Sequence, residues 1–211
     1  MVFQLNRKLI FPDPALADDD GLLAVGGDLS EARLLLAYSL GIFPWYSSGE
    51  PILWFSPHQR FVLYPGNLHI SHSMRQLIKS NKYEVRWNTS FAEVIAHCAK
   101  VPRKGQRGTW INKDMISAYN HLHKSGAAQS VEVWFEGKLI GGLYGVAVGE
   151  VFCGESMFSL LPNASKLALI ALCQSNLYKL IDCQMPTPHL EKMGAGFISR
   201  KEFMDMLKAQ S

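Results

Sequence analysis

The chain has 211 residues, 48% of them hydrophobic and 18% charged, with a formal net charge of +3. That supports one sizeable core, or a small domain joined to a larger one, and the mild charge permits an acidic partner without demanding one. No stretch approaches the roughly 18 apolar residues of a membrane span, and the opening MVFQLNRKLIFPDP lacks the basic and apolar regions of a signal peptide.

Residues 1–64 are dense in turn signals: FPDP, DDDG, VGGD, GIFPW and SSGEP. One helix stands among them, SEARLLLAYSLG, with Ser30 as N-cap, Glu31 in the first turn and Gly41 as its stop. The expectation is a small irregular domain over 1–64 packed on a larger one over 65–211. The larger part is more regular. A helix over 72–79 leads into the strand YEVRW, and Ser90 with Glu93 forms a capping box for SFAEVIAHCA. Asn112 caps a further helix ending at Gly126. VEVWF, a turn at Glu136 and Gly137, LIGGLYGVAV and VFCGE then read as a three-strand meander. Asn163 caps a long helix, ASKLALIALCQSNLYKL, followed by the strand LIDCQ. A short helix after Thr187 and Pro188, the strand GFI and a last helix boxed by Ser199 and Glu202 complete the chain. The four cysteines, Cys98, Cys153, Cys173 and Cys183, lack C-x-x-C spacing, and three lie in apolar runs. That is the pattern of buried free thiols in a reducing cytoplasm. His121 and His123 lack partners at metal spacing, so no metal site is expected.

Two features carry chemistry. Between Arg75 and Lys113 nine cations face few acids, and KVPRKGQRGTW gathers Lys100, Arg103, Lys104 and Arg107 before an aromatic ring. This reads as a solvated loop or, more sharply, as a phosphate-contacting patch with a stacking ring. The second feature is a carboxylate, Glu155, inside the apolar VFCGESMF, a position that is costly unless the charge is paired or at work.

Strand, two helices, three antiparallel strands, helix, strand: this order matches the α+β acyltransferase fold of the N-acetyltransferase superfamily. In that fold the strands before and after the long helix splay apart and leave a cleft. Glu155 would end the first of them. Asp182 would lie on the second, with Gln184 two residues on and pointing the same way. The plain alternative is that each carboxylate pairs with a lysine or a helix end. The turn before the long helix, SLLPNASK, has no glycines for backbone approach to a pyrophosphate, which disfavours an acetyl-CoA enzyme.

GIFPWYSSGEPILWFSP, GTWI, GGLYGVAVGEVFCGESMFS, NASKLAL and IDCQ, in this order and spacing, resemble the bacterial leucyl/phenylalanyl-tRNA–protein transferases over nearly the whole chain. The resemblance implies transfer of Leu, Phe and less readily Met from Leu-tRNA or Phe-tRNA to proteins beginning with Arg or Lys. That reaction feeds N-degron degradation in the cytoplasm, with no cofactor, metal or membrane. It further implies that Asp182 and Gln184 relay the amine proton and that Glu155 holds the cationic N-terminal residue. Trp45 and Trp110 would stack on the terminal adenine. Leu143, Phe152, Leu169, Leu172 and Ile181 would enclose the amino-acid side chain, and Arg75, Lys79, Arg103, Lys104 and Arg107 would meet tRNA phosphates. A small-molecule acyltransferase of the same fold and a non-catalytic RNA-binding module are the competing readings.

Overall fold

The computed structural model describes residues 2–101 and 110–208. The N-terminal part is built from β1 (Phe3–Leu5), β2 (Leu22–Gly26), α1 (Glu31–Ser39), β3 (Phe43–Pro44) and β4 (Leu53–Phe55), whose strands form a small sheet in the order β1-β2-β4-β3. α1 begins after Ser30, but the Ser30 side chain makes no cap bond; Asp28 accepts from the Ser30 amide instead at 2.9 Å.

The remaining elements are β5 (Gln59–Leu63), α2 (His72–Lys79), β6 (Glu84–Trp87), α3 (Phe91–Lys100), α4 (Lys113–Lys124), β7 (Ala128–Phe135), β8 (Lys138–Val148), β9 (Val151–Ser159), α5 (Ala164–Gln174), β10 (Leu180–Gln184), α6 (Pro188–Lys192), β11 (Gly196–Ser199) and α7 (Arg200–Lys208). Their strands make a large sheet in the order β11-β5-β10-β9-β8-β7-β6. β5 precedes the boundary expected at residue 64 yet pairs with β10 and β11 in this sheet. Its alternation sends Val62 into one core, with α1, α3 and α4, and Phe61 and Leu63 into the other, with α5 and α6.

The expected meander is present. Glu136 and Gly137 at its first turn both have positive φ, as a two-residue hairpin loop requires. Asn112 caps α4 by accepting from the Met115 amide at 3.0 Å. The capping box expected at α3 is not formed. Glu93 is exposed, and the buried Glu132 of β7 takes the amides of Thr89 and Ser90 at 3.0 Å. A carboxylate reaching across from a neighbouring strand satisfies these donors better than one on the helix itself. α5 ends at Gln174, short of the helix expected through Leu180, and Asn163 precedes it in a left-handed conformation without a side-chain cap bond.

β9 and β10 run parallel, pairing Val151 with Leu180, Phe152 with Ile181 and Cys153 with Asp182. Beyond Cys153, β9 continues on β8 alone, and the two strands part. Glu155 therefore lies in the middle of β9 and not at its end. Among the described residues no helix is long and apolar enough to cross a membrane.

Candidate active site

The gap between β9 and β10 opens into a cavity of about 590 Å³, lined from both cores. Its two key strands are irregular where they meet it. Tyr144 and Gly145 of β8 pair with Ser156 and Gly154, so Glu155 is the extra residue of a bulge. Val62 and Phe61 of β5 pair with Asp182 and Gln184, so Cys183 is the extra residue of a second bulge. Each bulge re-aims a side chain out of its strand's alternation, which bulges beside sites commonly do. The Gln184 backbone sits at φ +57, uncommon for a residue with a side chain. Gly145 permits the first bulge: a Cβ there would stand 2.3 Å from the Cys153 carbonyl and 2.6 Å from the Phe152 ring.

Asp182 is fully buried. Its Oδ2 is bound by the Arg60 guanidinium, and its Oδ1 accepts from the Gln184 backbone amide at 3.1 Å. Arg60 also donates to the Gly41 carbonyl at 2.9 Å and lies over the rings of Phe43 and Phe203. One buried ion pair thus ties the turn after α1, β3, α7, β5 and β10 together.

Glu155 is 7% exposed and lines the cavity. Oε1 accepts from the Tyr38 hydroxyl at 2.7 Å and from Gln184 Nε2 at 2.8 Å, and Oε2 accepts from the Tyr119 hydroxyl at 3.3 Å. Burial pushes the Glu155 carboxyl up to about 7; the bonds from Tyr38, Gln184 and Tyr119 oppose this, while the Asp182 charge adds to it. Burial and the Glu155 charge in turn hold both tyrosines well above the usual phenol range.

The profile of the family described as Leucyl/phenylalanyl-tRNA protein transferase matches residues 62–208, and that of its N-terminal domain matches residues 27–58. A leucyl/phenylalanyl-tRNA–protein transferase of Flavobacterium johnsoniae is 51% identical over 99% of this chain and 100% of its own length. Its counterpart in Syntrophobacter fumaroxidans is 53% identical over 98% of this chain and 89% of its own. The chain belongs to the leucyl/phenylalanyl-tRNA–protein transferase family. Among solved structures, the ribosomal-protein-alanine N-acetyltransferase of Brucella melitensis matches 52% of this chain and 84% of its own, at 13% identity and a TM-score of 0.37.

For a member of this family the cavity has an instructive lining. All five apolar residues singled out from the sequence, Leu143, Phe152, Leu169, Leu172 and Ile181, border it. So do Trp45, half-buried and edge-on to Phe55, and Trp110, which is 7% exposed. Glu155, Asp182 and Gln184 complete the wall. Gln184 does not simply point the way Asp182 points: the bulge at Cys183 breaks the alternation, and its side-chain amide is directed at Glu155. The contact between Asp182 and Gln184 runs through the Gln184 backbone.

Arg75 and Lys79 are exposed on α2 and do not line the cavity. Arg103, Lys104 and Arg107 lie outside the described residues. Among the described residues no group of three or more His, Cys, Asp or Glu side chains could hold a metal. The first two amides of α5, which do not border the cavity, are not free for a pyrophosphate. The Ala164 amide is bonded to the Leu161 carbonyl and the Ser165 amide to Ser159 Oγ, each at 3.2 Å.

Three participants escaped sequence reasoning: Arg60, Tyr38 and Tyr119. Arg60 did carry a signal, since a cation inside the apolar strand QRFVL is as anomalous as Glu155 inside β9. The tyrosines read as ordinary apolar-face residues, Tyr38 beside Leu34 and Ala37, and Tyr119 beside Met115 and Leu122.

Proposed function

We propose that this chain transfers leucine or phenylalanine from aminoacyl-tRNA to the α-amine of proteins whose first residue is Arg or Lys. The observation that supports it best is the union, in one cavity, of an apolar pocket, two tryptophans and a buried carboxylate wall. The volume of about 590 Å³ lies inside the roughly 300–1,000 Å³ of small-molecule sites. Leu143, Phe152, Leu169, Leu172 and Ile181 accept the aminoacyl side chain, and Trp45 and Trp110 accept the terminal adenine. The acceptor's cationic N-terminus approaches the negative wall formed by Glu155, Asp182 and Gln184. The aminoacyl ester is already activated, so the protein needs to orient the two reactants, remove a proton and stabilise an oxyanion, without a cofactor. Charged tRNA places the reaction in the cytoplasm, and Leu and Phe on basic N-termini mark proteins for degradation.

The deciding experiment is single-turnover transfer of labelled leucine from Leu-tRNA to a peptide beginning with Arg, beside the same peptide beginning with Ser. Transfer to the first alone is expected. Absence of transfer together with tight binding of acetyl-CoA would favour a small-molecule acyltransferase, whereas tRNA binding without transfer would favour an RNA-binding module.

Two results are expected of the donor site. Trp45→Ala should weaken Leu-tRNA and Phe-tRNA by similar factors, because a lost base stack costs about 1–3 kcal/mol whichever amino acid is carried. A defect confined to one donor would place Trp45 in the side-chain pocket. Affinity for tRNA should fall steeply with salt, whereas use of an aminoacyl-adenosine, which lacks the phosphate backbone, should barely respond. Neutralising Arg103, Lys104 and Arg107 should flatten the tRNA slope by up to about three, and Arg75 with Lys79 by up to about two. Equal, shallow slopes for the two donors would remove these cations from the tRNA contact.

A further inference from the structure

We infer that Glu155 is the group that takes the proton from the acceptor's amine, and that Tyr38 and Tyr119 are positioning residues that let it alternate between charged and neutral states. The inference rests on the transferase reading above and departs from the resemblance, which assigns the proton to Asp182 with Gln184.

Asp182 is badly placed for that task. It is fully buried, one oxygen is bound by Arg60 and the other by the Gln184 amide. An amide such as the Gln184 side chain is not a base at neutral pH, and here it donates to Glu155. Glu155 is reachable from the cavity. Its two oxygens are held unequally, Oε1 by two donors at 2.7 and 2.8 Å and Oε2 by one at 3.3 Å.

Counting hydrogens shows what the tyrosines do. The hydroxyls of Tyr38 and Tyr119 are bonded to each other as well as to Glu155, which makes three contacts among three groups. Each phenol supplies one hydrogen. While Glu155 is a carboxylate, two hydrogens serve three contacts: Tyr38 donates to Oε1, and Tyr119 shares its one hydrogen between the Tyr38 oxygen and the more distant Oε2, which keeps room for the amine. When Oε2 gains a proton it donates to Tyr119, and the ring closes with three hydrogens. Neither state leaves a buried donor or acceptor stranded, and only hydroxyl hydrogens rotate.

The surroundings suit a base that works near neutrality. Burial sets Glu155 near 7, where a general base is most effective. The groups facing it are Tyr38 from α1, Tyr119 from α4, and Gln184 and Asp182 from β10. Arg60 stands behind Asp182, and Tyr144 lies edge-on to Tyr119. In the reaction the amine nitrogen bonds to the ester carbonyl carbon and its proton passes to Glu155. The carbon–oxygen bond to the terminal ribose then breaks, and the proton leaves Glu155 for that ribose oxygen. Glu155 ends as it began.

The test is the pH profile of leucine transfer from saturating Leu-tRNA to one Arg-starting peptide by the wild type, Tyr38→Phe, Tyr119→Phe and Glu155→Gln, each checked for a normal thermal unfolding transition. The peptide's own amine, near 7.7–8.0, contributes equally to all four profiles. Each phenylalanine variant removes a donor that favours the carboxylate. Its acidic limb should therefore move up by about one pH unit, with the alkaline plateau kept. Glu155→Gln should lower the plateau by about 10²–10⁴-fold. A uniform loss at every pH in the phenylalanine variants, or a retained plateau in Glu155→Gln, overturns the inference. The ¹³C shift of the Glu155 carboxyl, followed through a pH titration, keeps it separable from the functional reading. If the wild type transfers nothing, the transferase reading falls. If the carboxyl titrates in the ordinary range, or identically in Tyr38→Phe, the inference falls alone.

Discussion

Asp182→Ala is expected to lower the melting temperature by roughly 10 °C and to abolish transfer. The physical reason is the partner it abandons. Arg60 is 2% exposed, its charge is bound by Asp182, and it sits between the rings of Phe43 and Phe203. Removing one member of a buried pair leaves the other charge uncompensated, which costs about 3–5 kcal/mol. In a chain of this size that corresponds to a fall of several degrees per kcal/mol or slightly less. The loss of activity is then partly structural, since the Gln184 backbone turn also loses its acceptor at 3.1 Å. The double variant Arg60→Met with Asp182→Asn separates the two contributions. It removes both charges together and keeps an oxygen for the Gln184 amide, so most of the stability should return. Activity should stay low, because the Asp182 carboxylate beside Glu155 and Gln184 is gone from the cavity wall. Thermal unfolding and single-turnover transfer on the three proteins report both. A wild-type melting temperature for Asp182→Ala would show that the Arg60 pair holds nothing together.

Glu155→Gln should stabilise the fold above neutral pH and change nothing near pH 4. Glu155 is held at about 7 when folded and returns to its ordinary 4.5 when the chain unfolds. Below 4.5 both states carry the proton and the variant matches the wild type. Between 4.5 and about 7 the unfolded chain releases its proton while the folded wild type keeps it, and above 7 the fold must hold a buried carboxylate that water would solvate more cheaply. The gap costs roughly 3 kcal/mol at alkaline pH. Glutamine is neutral at every pH and escapes that penalty while keeping an acceptor for Tyr38. Urea unfolding at a series of pH values should show the two midpoints coinciding near pH 4, separating between 4.5 and about 7, and staying a constant distance apart above that. A difference that is constant with pH would mean that Glu155 is not perturbed by burial. With the expected divergence, the residue proposed above as the base would also limit stability, a usual conflict at catalytic groups.

What the sequence determined by itself was whatever short-range chemistry encodes. The order of strands and helices was legible because side-chain period and turn residues act over a few positions. Asn112 capping the Met115 amide and the positive-φ pair Glu136 and Gly137 are of this kind. Two carboxylates of the cavity wall were legible for another local reason. Glu155 and Asp182 are charges in apolar strands, and such charges persist only when paired or used. The apolar lining followed from strand and helix positions next to them. The tertiary structure alone decided how these groups meet. The bulges at Glu155 and Cys183 exist only relative to β8 and β5, so no pattern within β9 or β10 announces them. For the same reason the strand period misjudged the direction of Gln184. Glu132, on β7, displaced Glu93 as the partner of the α3 terminus because it approaches from outside the helix. Arg60 finds Asp182 across 122 residues of chain, and Tyr38 finds Glu155 across 117. Contacts over such separations are fixed by how the two cores pack, and local sequence carries no record of them.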